Sequence, residues 1–200
     1  MTDKSQRYWN QHARQDGTWR IDPTYGKPKK PPGEDLADFR AGLGQLPGSV
    51  PRLWRHYTCD ADEHLARKGE LSYEQAAEHA ALALYGLHQQ SQDRPMHRPG
   101  IGLGTALRAL RKSEKFSEDA VDARVAALAT ATSVPALLMR LRGLITQLRD
   151  IGQPLDYDRL MDDIGAWYRA DRRPRVRRAW GVDYHAWEKP TEPKDNLKDK

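Results

Sequence analysis

The sequence predicts an all-α protein: a two-lobed helical chain with a four-helix-type C-terminal bundle. Three observations lead there. Val134, Leu137, Leu138, Leu141, Leu144, Ile145 and Leu148 recur at helical spacing, and at about 100° per residue they fill an arc of roughly 120°. Tyr157, Leu160, Met161, Ile164, Trp167 and Tyr168 repeat the pattern, and so do Val176, Trp180, Tyr184 and Trp187. No segment alternates with period two for long, so strands are not expected.

The elements follow in order. Residues 5–16 read as a helix with Tyr8, Trp9 and His12 loosely on one side. Residues 21–33 hold four prolines and two glycines and read as an exposed loop. A short helix over 35–43 gathers Leu36, Phe39 and Leu43 and turns Arg40 towards its edge. Ser49 before Pro51 marks a helix start for 49–57. Ser72 and Gln75 fit a capping box opening a buried, Ala- and Leu-rich helix over 73–90. The polar stretch 89–99 is a loop and the expected boundary. It divides an N-terminal lobe (1–95) from a C-terminal bundle (96–187), with a disordered charged tail over 188–200. Within the bundle, helices are expected near 103–112 and 118–131. The 134–148 stripe carries Arg142 and Arg149 on one flank and Arg140 on the other. Asp156 caps the next helix, and Pro174 opens the last, whose Arg175, Arg177 and Arg178 fall on the solvent side.

The chain has 200 residues, a net charge of +5 and 33 basic residues, with a pI near 9.3. The excess charge is local. Between Arg94 and Lys115 six basic residues face Glu114 alone, and a local basic surface attracts phosphate. Arginine dominates, and its planar fork suits bidentate phosphate contacts. Cys59 is the one cysteine, which excludes an internal disulfide and a Cys-based zinc cluster. There is no apolar run of transmembrane length and no signal segment, so a cytoplasmic protein without a membrane partner is expected.

Catalytic and metal sites find little support. Gly100, Gly102 and Gly104 lead into a helix and could cradle phosphate, but no strand precedes them and the nucleotide-binding spacings are wrong. They read as a turn packed tightly on the bundle. Asp156, Asp158, Asp162 and Asp163 crowd one helix start, where acids also complement the helix dipole. The seven histidines form no HxxxH or HExxH pair. No catalytic residue, metal site or cofactor is expected. The helical spacing of Trp167, Trp180, Tyr184 and Trp187 suits a core better than a base-stacking platform. The basic groups differ. Arg108, Arg111 and Lys112 share a helix face, Arg140 and Arg142 flank another stripe, and Arg172, Arg173, Arg175, Arg177 and Arg178 crowd one segment. Together with Arg40 they form the candidate nucleic-acid-binding set.

At these residues the chain resembles the CasB family, the small subunit of the type I-E CRISPR surveillance complex, Cascade. The matching pieces are LADFRAGLGQLPGSVPRLWRHY (36–57), GIGLGTAL (100–107), LMRLRGLITQL (138–148) and LDYDRLMDDIGAWYRADRRPRVRRAWGVDY (155–184). They cover roughly residues 35–185 in order. The resemblance implies a non-catalytic, all-helical subunit that packs with a second copy of itself and the other Cascade subunits. It also implies contacts to crRNA, target DNA and the displaced non-target strand that stabilise the R-loop in antiviral defence. By the resemblance, Arg40 falls at the basic site of the first motif, Arg142 at the family's Leu-Arg position and Arg172, Arg173, Arg175, Arg177 and Arg178 on its C-terminal basic run, while Arg108 and Arg111 lie just after the glycine signature. Two departures stand out: Ala41 replaces a second arginine, and 118–133 carries only Arg124 against three acids. The 21–33 loop and the tail look like additions. The alternative is a helical DNA-binding transcriptional regulator, which needs a helix-turn-helix unit.

Overall fold

A computed structural model describes residues 4–185; the expected tail and Trp187 lie outside the described residues. Among these, eight α-helices follow in chain order: α1 Gly33–Ala41, α2 Glu63–Arg67, α3 Tyr73–Gln89, α4 Leu103–Arg111, α5 Glu118–Ala129, α6 Val134–Asp150, α7 Tyr157–Trp167 and α8 Arg173–Tyr184. The described residues contain no strand, only isolated bridges pairing Ala13 with Trp19, Ile21 with Pro28 and His97 with Leu155. The all-α expectation holds.

α3 is the axis. The Ser72 hydroxyl accepts from the Gln75 amide while the Gln75 side chain accepts from the Ser72 amide, the reciprocal cap its sequence predicts. From Ala76 to Gln89 every residue is buried, because α1, α6 and α7 all pack on it. Its small residues permit this approach. A Cβ at Gly86 would run into Phe39 and the Leu36 carbonyl of α1. The second half assembles α4, α5, α6 and α8, with α4 against α8 as its tightest pair. At Gly104 a Cβ would meet the Trp180 carbonyl, so the glycine run is a site of close packing. A single apolar core runs from Tyr8 through Leu84 and Leu141 to Tyr184, across the expected boundary at residue 95. No described helix is long and apolar enough to cross a membrane.

Two expectations are corrected. Residues 5–16 form no α-helix but two short 3-10 turns, Lys4–Gln6 and Tyr8–Gln11. Their side chains are drawn to separate partners: Tyr8 to Asp35 and Trp9 and Asn10 to Asp158. Residues 49–57 form a 3-10 turn, Pro51–His56, without a side-chain cap; Ser49 instead donates to the Leu46 carbonyl. Short 3-10 pieces are common connectors. The five-residue α2, capped by Asp62, has no counterpart in the periodicity because it buries no residue.

Candidate nucleic-acid interface

The structure divides the eleven selected basic residues by what each side chain touches. Four serve the fold. Arg111 reaches from α4 to two acids of α5, 2.9 Å from Glu118 and 2.9 Å from Asp122. The two acids thus neutralise Arg111 across the α4–α5 contact. Arg140 donates to the Ala127 carbonyl. Arg173 donates to the Trp167 carbonyl at 2.7 Å and the Thr132 carbonyl at 2.6 Å. Arg177 donates to the Ala131 carbonyl at 3.0 Å and lies 5.2 Å over the Trp167 ring. Arginines 140, 173 and 177 therefore satisfy carbonyls at the end of α5 and in the turn after it. There the last helical carbonyls lack intrahelical partners and the dipole favours cations. The expectation that Arg177 faces solvent is corrected: it is only half-exposed, and its Nε is buried.

Six are different. Arg142, Arg172, Arg175 and Arg178 are exposed, and Arg40 and Arg108 are half-buried. None of the six makes a side-chain hydrogen bond or ion pair among the described residues. Lys112 is exposed and ends α4. Arg172 and Arg175 line one cleft of about 360 Å3 between α7 and α8, with Arg159, Asp162 and Asp163. Arg172 also borders a groove of about 740 Å3 with Lys4, Arg7 and Arg169. Arg142 stands on a separate, mostly apolar groove with Leu46, Met139 and Tyr168. Arg40 and Arg108 line none of these. Sequence reading passed over Arg159 and Arg169. The signal for Arg169 is its place beside the 172–178 run, just past Tyr168, the last residue of the apolar stripe.

The remaining chemistry is structural. The Asp156 carboxylate caps α7, accepting from the Asp158 and Arg159 amides, and also accepts from the Gly100 amide at 2.8 Å. Asp158 accepts from Arg7, Trp9 and Asn10, each at 2.9 Å. Burial alone would raise its carboxyl, but these hydrogen bonds outweigh it and hold it below the usual range. Asp163 accepts from the Trp180 indole at 2.7 Å, and burial pushes its carboxyl up to about 6. Burial, with Glu78 nearby, pushes the Cys59 thiol up to about 12, which leaves little thiolate near neutrality. Among the described residues no three His, Cys, Asp or Glu side chains are placed to share a metal ion. The start of α4 is occupied from within: a Cβ at Gly102 would lie 2.7 Å from the Arg159 guanidinium. Trp167 and Trp180 stack at 5.2 Å inside the core.

No curated protein matches the chain significantly. Among solved structures, CasB from Thermobifida fusca is 32% identical, with a TM-score of 0.59 over 76% of this chain and 84% of that one. A CRISPR-associated protein of the Cse2 family from Thermus thermophilus is 26% identical, with a TM-score of 0.57 over 76% and 85%. A chain of a CRISPR RNA-guided surveillance complex shares the fold at 22% identity, with a TM-score of 0.55 over 78% and 83%. The sequence profile described as CRISPR-associated protein Cse2 matches residues 35–185. With that match spanning both halves of the fold, the chain belongs to the CRISPR-associated Cse2 family.

Proposed function

We propose that this chain is the non-catalytic small subunit of a type I-E CRISPR Cascade complex. It grips nucleic-acid backbone there and stabilises the crRNA–target DNA R-loop together with the displaced non-target strand. The observation that carries the reading is the sorting of arginines. In a Cse2-family fold, six selected arginines remain without an internal acid or carbonyl among the described residues, while their neighbours are consumed by the fold. R-loop formation is a near-balanced exchange of base pairs, so modest backbone contacts tip it. Each phosphate neutralised releases counterions, which makes the hold steeply salt-dependent. One small subunit offers few contacts; a second copy and the other Cascade subunits raise the effective concentration of each.

The test is assembly followed by R-loop lifetime. The chain is co-expressed with the other type I-E Cascade subunits and a crRNA, the particle is purified through a different subunit, and its mass is measured intact. Retention in a crRNA-bearing particle is expected. A complete particle lacking the chain overturns the proposal. In the retained particle, Arg142→Ala combined with Arg172→Ala and Arg175→Ala should shorten R-loop lifetime, most visibly at high salt; an unchanged lifetime would remove these arginines from the interface.

A further inference from the structure

The loop over 21–33 is ordered, and it precedes the family-matched segment, which begins at residue 35. Its backbone folds back as a small hairpin. The Lys29 amide donates to the Arg20 carbonyl at 2.7 Å and the Asp22 amide to the Lys27 carbonyl at 2.8 Å. Ile21 bridges to Pro28 between them. The Asp22 carboxylate closes the turn by accepting from the Thr24 and Tyr25 amides, and Gly26 takes a positive φ of 63° that favours glycine. The root is anchored. Trp19 is buried and its indole donates to the Asp93 carbonyl at 2.7 Å. The His12 ring is hydrogen-bonded to the Lys29 carbonyl.

The tip carries what the root does not need. Tyr25 is 74% exposed and its ring packs on no described aromatic. In this register Arg20 and Lys29 are paired, as are Asp22 and Lys27, and residues two apart share a face. Lys27 and Lys29 therefore stand on one face, both exposed, beside Arg20, whose Nε donates to the Asn10 carbonyl at 2.8 Å, and Asp22 is the acid spent on the turn. Beside the hairpin the Arg98 side chain lies against Gly17, and Lys30 pairs with the exposed Asp93 at 3.2 Å.

We infer that this hairpin is a second nucleic-acid contact that takes single-stranded DNA or RNA, with one unstacked base on Tyr25 and the flanking phosphates on Lys27 and Lys29. An exposed ring beside a row of cations is the combination that binds single strands without reading sequence, whereas a duplex offers no free base face to the ring. The assignment rests on the nucleic-acid reading above and places a contact outside residues 35–185, the segment that the family profile matches.

The experiment titrates the full-length chain into fluorescently labelled dT20 and a duplex of equal length at low salt, with polyglutamate as a competitor. The chains compared are wild type, Tyr25→Ala and Lys27→Ala/Lys29→Ala. Tyr25→Ala should weaken dT20 binding about tenfold and leave the duplex unchanged. The double lysine variant should lower the salt slope on dT20 by about 1.4, two single-strand contacts' worth. The Tyr25, Lys27 and Lys29 side chains are exposed, so melting temperatures should match wild type. Hairpin variants that bind dT20 like wild type overturn the inference. If Arg142→Ala/Arg172→Ala loses binding in the same titration, the proposed function stands and the hairpin alone falls. Polyglutamate competing as well as dT20, with no effect of Tyr25→Ala, overturns it in favour of an acidic protein partner. Undetectable dT20 binding by wild type overturns it as well, and retention of the chain in the particle still judges the proposed function separately.

Discussion

Arg177 lies over Trp167 and donates to the Ala131 carbonyl; Arg178, its neighbour in the chain, is exposed and makes no ion pair among the described residues. A helical wheel puts both on the solvent side, because it describes where a Cβ points and not how far a long side chain reaches back. The same limit hid the duties of Arg173, whose two carbonyl partners lie on different segments. Composition and spacing thus made the arginine set legible, while the tertiary contacts that divide it were not. The division has measurable consequences. Arg177→Ala should destabilise the fold by roughly 2 kcal/mol, from a lost cation–π contact and a charge-assisted hydrogen bond. Arg178→Ala should stay within roughly 0.5 kcal/mol of wild type while weakening binding to a nucleic-acid strand. Urea unfolding and a salt-dependent binding titration check the pair, and reversed outcomes would mean that the two roles have been assigned the wrong way round.

At the scale of elements, the clearest signals were local. Ser72 and Asp156 cap α3 and α7 as their spacing predicts, because the partners of a cap are two or three residues away. The 3-10 turns near Trp9 and Trp54 were not legible. What holds the first is Asp158, 149 residues from Trp9 in the chain, and no periodicity records that. The glycines lie between these cases: the run 100–104 announced a tight place but not which surface it meets. The structure separates them. Gly104 sits against the Trp180 carbonyl and Asp183 of α8, whereas Gly143, exposed in the middle of α6, faces open space. Gly104→Ala should therefore wedge α4 from α8 and destabilise by roughly 1–3 kcal/mol. Gly143→Ala should stabilise by up to roughly 1 kcal/mol, since it restricts the unfolded chain and fills nothing. Thermal denaturation reads both. Equal melting points for the two variants would show that the α4–α8 contact is looser than its geometry requires.

For the molecule as a whole, burial of titratable groups sets the direction in which pH acts. His12, His56, His79, His88 and His97 are all held below the ordinary histidine value, in each case chiefly by burial. His97 is lowered to about 4 and His88 to about 3. A histidine whose folded pKa is depressed contributes stability above its unfolded pKa of about 6.5 and loses it as pH falls towards the folded value. Asp163 acts in the opposite sense. Its carboxyl is raised to about 6, so the fold prefers it protonated and stability falls as pH rises from about 4 through 6. With five groups against one, the urea midpoint should drop between pH 6.5 and 4.5. Asp163→Asn should keep an acceptor for the Trp180 indole and be more stable than wild type at pH 7.5, with the advantage vanishing near pH 4. The histidines also say where acid acts first. His97 is hydrogen-bonded to the Asn10 side chain and accepts from the Tyr157 amide, and His12 holds the Lys29 carbonyl at the root of the hairpin. Protonating them loosens the attachment of the N-terminal segment before it reaches the α4–α8 bundle. Amide hydrogen exchange at pH 5 should therefore rise over residues 8–30 while α4 and α8 stay protected, and uniform loss of protection across the chain would show that the N-terminal segment and the bundle unfold as one unit.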